Sequence, residues 1–216
     1  PPAPQPPARA GIVVLHGADS CKESHHDFAR AAVALGLGVI CFDQRGHGES
    51  GGELGPGVLQ DVATVAARLR DALGDPEAPL AVRGSSMGGY LTILAAPVVG
   101  ARAAVAICPA SADGLRRGLA EGRFEFAADR AGLEGFLAEH DLMLAAGQLT
   151  IPLLLLHAEG DERVPIAHSR ELAEVLTVPG SRLIAVPGGH HRSIQHDEEL
   201  QAVSLRFIQR SLGVAR

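Results

Sequence analysis

The sequence predicts an α/β fold: a compact, mostly parallel sheet of about six strands, helices on both faces and a small helical cap inserted in the second half. Three observations predict it. Short apolar runs alternate with longer amphipathic segments; the runs lack polar alternation; and one interval between runs is far longer than a crossover helix requires.

The runs read as strands are 11–16, 37–43, 79–84, 101–108, 151–157 and 181–187. Each is rich in Val, Ile, Leu or Ala without alternation, as expected where helices cover both faces. Arg83 is the misfit, a charge near a strand end that needs a partner the local sequence does not supply. Helices are expected over 24–34, 57–73, 87–98, 166–177 and 197–212. The long interval, 111–149, holds Gly-punctuated helical pieces at 115–119 and 136–146 and reads as a cap within one domain spanning 1–216.

Composition fits this scheme. The chain has 216 residues, 46% hydrophobic and 20% charged, enough for one substantial core. Aromatic residues make up only 3%, with no Trp and one Tyr, so the core is aliphatic. Net charge is −6 and Lys22 is the only lysine, which argues against nucleic acid as a partner, since phosphate neutralisation needs clustered cations. No stretch approaches the ~20 apolar residues of a membrane span. The proline-rich start, 1–7, has no apolar targeting core, so a cytoplasmic location is expected. Cys21, Cys41 and Cys108 cannot all pair within one chain. Cys41 and Cys108 fall in apolar runs and read as small buried hydrophobes rather than disulfide or metal residues.

Chemistry enters at Gly84-Ser85-Ser86-Met87-Gly88, a G-x-S-x-G pattern centred on Ser86 between an apolar run and a helical one. A serine on so sharp a strand-to-helix turn is forced into strained backbone, which projects its hydroxyl clear of the sheet. Glycines two residues to either side relieve the crowding. The helix start at Met87 aims free N–H groups toward developing negative charge. Ser85 does not fit the spacing to either glycine.

On these residues the chain resembles the α/β-hydrolase superfamily, with serine esterase, dienelactone-hydrolase-like and acylaminoacyl-peptidase-like branches as the nearest patterns. The resemblance covers nearly the whole length, though the two leading strands of the full family fold are absent. His16-Gly17-Ala18 resembles the family's HG-x turn, which implies Ala18 as one oxyanion-hole donor and Met87 as the other. Asp43-Gln44-Arg45-Gly46-His47-Gly48-Glu49-Ser50 resembles the D-x-R-G-x-G-x-S loop. It reads as scaffolding, with Asp43 and Arg45 able to pair. Gly160-Asp161-Glu162-Arg163-Val164-Pro165 lies in a stretch similar to the family's acid loop, which implies Asp161 as the acid; Glu159 comes too early and Glu162 should point away. Pro187-Gly188-Gly189-His190-His191 is similar to the histidine loop. An ungapped match puts the base on His191, with His190, where glycine is usual, as the alternative.

The implied catalytic set is Ser86, Asp161 and His191, in the Ser…Asp…His order of this fold. The implied activity is ester hydrolysis of a small or medium acyl substrate through an acyl-enzyme, with no cofactor. Peptidase, amidase or thioesterase chemistry on the same triad, or a non-catalytic ligand-binding role, are the alternatives. A metal centre built from His16, His25, His26, His47, His190 or His191 is not expected, because no ligand spacing supports one. In the cap, most of the apolar residues Phe124, Phe126, Phe136, Leu137, Leu142, Met143 and Leu144 are expected to pack onto the core and a few to line a pocket for the acyl group, with Arg116, Arg117 and Arg123 available for an anionic contact.

Overall fold

Each of the six apolar runs becomes a strand, and all pair in parallel in the order β2-β1-β3-β4-β5-β6. The strands are β1 (Gly11–Leu15), β2 (Gly38–Cys41), β3 (Leu80–Ser85), β4 (Ala103–Ile107), β5 (Leu153–Ala158) and β6 (Arg182–Val186). This computed structural model describes residues 8–214; the proline-rich start lies outside the described residues.

Burial follows position in the sheet. β1, β3, β4 and β5 are buried along their whole length, whereas the edge strands β2 and β6 are only partly covered. Full burial of all six, expected from their shared apolar character, therefore holds only for the inner four. Cys41, on edge strand β2, is accordingly half-buried rather than buried.

Two apolar layers flank the sheet. On one face α2 (Val58–Leu73) and α3 (Met87–Val98) join α4 (Ala112–Ala120), α5 (Arg130–Glu139), α6 (Leu142–Gly147) and α7 (Ile166–Glu174). On the other, α1 (His26–Ala34), α8 (Ser193–His196) and α9 (Glu198–Leu212) cover the strands. α3 runs between the predicted limits and is buried nearly all round, as its uniformly apolar sequence requires.

Local chemistry sets the boundaries that periodicity missed. The apolar stretch 136–146 is two helices, because Asp141 accepts from the N–H groups of Met143 and Leu144 and so starts α6. Residues Lys22–His25 form a 3-10 turn ahead of α1.

The interval between β4 and β5 is stitched to the loop after β2. Leu54 and Ala128 form a parallel bridge, reinforced by hydrogen bonds from Leu54 N–H to Ala127 O, Ala127 N–H to Gly46 O and Asp129 N–H to Leu54 O. Among the described residues no helix is long and apolar enough to cross a membrane.

Strand order reverses between β1 and β3, the crevice where parallel sheets bind ligands at the carboxyl ends of their strands. The turn bearing Ala18 follows β1 and the turn bearing Ser86 follows β3.

Candidate active site

The turn at Ser86 is a strained elbow. Ser86 has φ 54° and ψ −117°, a conformation that L-residues rarely hold and that ends β3 and starts α3 within one residue. Glycine is required on both sides. A Cβ on Gly84 would lie 2.2 Å from the Gly88 carbonyl oxygen, and one on Gly88 would lie 2.2 Å from the Leu15 oxygen. Met87 is the first residue of α3, so its N–H has no carbonyl one turn back to satisfy it.

The turn after β1 presses against this elbow. A Cβ on Gly17 would sit 3.2 Å from Ser86 Cβ, and Ala18 lines the same cleft as Ser86. His16 is structural. Its Nε2 accepts from Gln44 N–H at 2.9 Å, so the proton is on Nδ1, which donates to Gly17 O at 2.7 Å. Burial pushes its pKa down to about 4, in keeping with a neutral ring. Asp19 continues the turn by accepting from Glu125 and Phe126 N–H, which ties it to the segment before α5.

The loop after β2 is braced, though not by the expected pair. Asp43 accepts from Lys22 Nζ at 2.6 Å, from Lys22 N–H and from Glu49 N–H, while Arg45 reaches out to Asp61 on α2. Partners 21 and 16 residues away displaced the local Asp43–Arg45 pairing. His47 stacks on Phe126 with ring centroids 4.2 Å apart and meets His16 edge-on, well inside the scaffold.

Asp161 and His191 are brought together, and His191 lines the same cleft as Ser86. His191 Nδ1 lies 2.7 Å from Asp161 Oδ2, whose side chain is completely buried. Asp161 Oδ1 accepts from Arg163 N–H and Val164 N–H. Burial alone would raise this carboxyl's pKa, but the neighbouring His157 and His191 and the two backbone donors hold it well below the usual carboxylate range. It is therefore an anion at neutral pH.

Glu162 does not point away as expected. Its Oε2 accepts from His191 N–H at 3.0 Å, so the loop bearing Asp161 grips the His191 backbone as well as its ring. Glu159 turns outward to Arg170. His190 is exposed, and its backbone is bonded to Ser193.

Ser86, Ala18, His191, Ser111, Arg117 and Arg192 line one cleft of about 780 Å³. A narrow apolar pocket, with Met87, Leu91, Leu119, Phe126 and Phe136 among its walls, shares Leu115 and Phe124 with that cleft. Arg116 is engaged with Glu134 and Arg123 with Glu121.

Arg83 finds its partners far away in sequence. Completely buried, it lies over the Phe28 ring at 3.8 Å and approaches His25 Nδ1 at 3.3 Å and the Gln195 carbonyl at 3.4 Å. Burial lowers its pKa to about 10. Cys108, buried just past β4 at φ 42°, has its sulfur within 4.8 Å of donor atoms on Asp161 and His191. Of the histidines weighed for a metal centre, only His191 belongs to that group.

Three kinds of likeness accompany this geometry. A family model described as serine aminopeptidase, S33, matches residues 6–128, more than half of the chain. The monoacylglycerol lipase of Mycolicibacterium smegmatis is 26% identical over 242 residues, covering 91% of this chain and 86% of that protein. Among solved structures, a Pyrococcus furiosus esterase superposes with a TM-score of 0.76 at 25% identity, covering 95% of this chain and 84% of that one. Est1E from Butyrivibrio proteoclasticus, solved with ferulic acid, superposes at 0.77 with 18% identity over 96% of this chain and 91% of that one. The chain belongs to the serine aminopeptidase S33 family and folds as an α/β-hydrolase.

Proposed function

We propose that this protein is a serine hydrolase that cleaves a carboxylic ester with a small or medium acyl group through an acyl-enzyme. One observation carries the reading: a serine on a strained elbow shares a cleft with a histidine whose other ring nitrogen is bonded to a buried carboxylate. That is the nucleophile, base and orienting acid of acyl transfer.

Ser86 Oγ attacks the ester carbonyl as His191 Nε2 takes its proton. Asp161 holds the His191 proton on Nδ1 and stabilises the imidazolium. The oxyanion is held by the N–H groups of Ala18 and Met87, each donor being worth about 2.7–4 kcal/mol in the transition state of comparable enzymes. His191 then protonates the departing alcohol. Water, deprotonated by His191, releases the acid and restores Ser86.

The cleft of about 780 Å³ beside Ser86 has room for a small or medium acyl group, and Leu115 and Phe124 give it an apolar wall. The names of the M. smegmatis and P. furiosus proteins, a lipase and an esterase, favour ester over amide. The S33 description keeps an aminopeptidase reading alive on the same residues, with His191 protonating a poorer leaving group. A panel of p-nitrophenyl esters from acetate to octanoate, run beside aminoacyl anilides, decides between them. Turnover of short and medium esters supports the proposal, and turnover confined to the anilides overturns it.

A further inference from the structure

β5 is leucine-rich until His157, a completely buried residue beneath the acid loop. Both ring nitrogens are engaged. Nδ1 lies 2.7 Å from Ser169 Oγ on α7, while Nε2 lies 2.9 Å from the Val164 carbonyl oxygen and 3.3 Å from Asp161 Oδ2. A carbonyl and a carboxylate only accept, so Nε2 carries the proton. In the neutral ring Nδ1 is the acceptor, and Ser169, also fully buried, is placed to donate its O–H to it. One tautomer is fixed.

The contacts close a ring around the acid. Val164 N–H donates to Asp161 Oδ1, Val164 O accepts from His157, and the same His157 nitrogen lies 3.3 Å from Asp161 Oδ2, beside His191. We infer that His157, held in one tautomer by Ser169, is a positioning residue that steadies the Asp161 carboxylate and takes a share of its charge. This rests on the proposed roles of Asp161 and His191.

The consequence has a definite sign. A second N–H beside the carboxylate weakens its hold on the His191 imidazolium. Removing that N–H leaves more charge for His191 and raises the pH at which it gains a proton. The other titratable groups near this pair are Cys108 from the end of β4, Glu162 in the acid loop and His168 on α7. They are the same in every variant below.

The test follows the His191 side chain by NMR across a pH titration of the resting protein, with the pH profile of kcat/KM on a p-nitrophenyl ester alongside. In H157L the His191 titration and the acidic limb should both move up, and kcat should fall about tenfold. H157Q, whose amide N–H replaces the Nε2 donor, should titrate close to the unsubstituted protein. S169A, which frees the tautomer, should lie between. Loss of kcat in H157L and H157Q alike, with His191 titrating as before, would reduce His157 to packing and overturn the inference. Should H157L not fold, an unmoved titration in S169A overturns it equally. A protein inert to esters would sink the proposed function while the NMR titration still judged His157.

Discussion

Ser85 Oγ donates to Gln195 Oε1 at 2.7 Å, which ties the residue before the elbow serine to the short helix that follows His191. Arg83, two residues earlier on β3, approaches the Gln195 main-chain oxygen from the same side. The strand that leads to Ser86 and the segment that follows His191 are thus fastened to each other, across 110 residues of sequence.

Ser85→Ala should therefore act at a distance. It leaves Gln195 Oε1 without its donor, at a cost of about 1–3 kcal/mol in unfolding free energy. Ester turnover should fall roughly tenfold through misplacement of the base, with KM little changed. Urea unfolding and steady-state kinetics check both; unaltered kcat would mean that the bond does not set the geometry.

Gly88→Ala should be far more damaging than its size suggests. The new methyl would stand 2.2 Å from the Leu15 oxygen and 2.5 Å from the His16 oxygen, both backbone atoms of a central strand and its turn. Neither can yield cheaply, so a loss of about 3 kcal/mol or more is expected, read as a lowered melting temperature or loss of soluble protein.

Acid should destabilise the fold before any carboxylate titrates. Burial, helped by the adjacent Arg83 charge, lowers His25 from 6.5 to about 3, and burial lowers His16 from 6.5 to about 4. Both are depressed, so the unfolded chain binds protons first. Their contribution is complete above pH 6.5 and is lost as pH falls from there toward 4 and 3. Asp43, held down to about 2, adds its loss only at lower pH. Urea midpoints should therefore drop between about pH 7 and about pH 5. His25→Gln, which keeps an acceptor for Arg83, should flatten that slope; an identical slope would assign the acid sensitivity elsewhere.

Much of this arrangement was legible in the sequence, and the division has a physical basis. Unalternated apolar runs give away strands covered on both faces, so all six were found, along with the full extent of α3. Ser86, Asp161 and His191 stood out because each sits in a turn pattern local to its own strand. The unread features depend on contacts between distant segments. Asp43 meets Lys22 rather than Arg45, and Arg83 is satisfied by Phe28, His25 and Gln195. His157 passed as the end of an apolar strand. The available signal was a lone imidazole after a run of leucines, four residues before Asp161. The split between α5 and α6 was readable too, since Asp141 is a good N-cap residue that the periodicity overrode.

Asp161→Asn should lower kcat by about 10⁴ while leaving KM within a few-fold. An amide beside Nδ1 no longer demands the proton there, and the tautomer that presents a bare Nε2 to Ser86 is lost. Stopped-assay kinetics on a p-nitrophenyl ester check the size of the fall. A loss confined to KM would show that the carboxylate serves substrate binding instead.

The most direct measurement is to treat the intact protein with a fluorophosphonate and locate the adduct by peptide mass spectrometry. The account predicts a single modified residue, Ser86, with labelling abolished and kcat reduced about 10⁶-fold in Ser86→Ala. An unlabelled protein, or an adduct on another serine with activity surviving in Ser86→Ala, would contradict it.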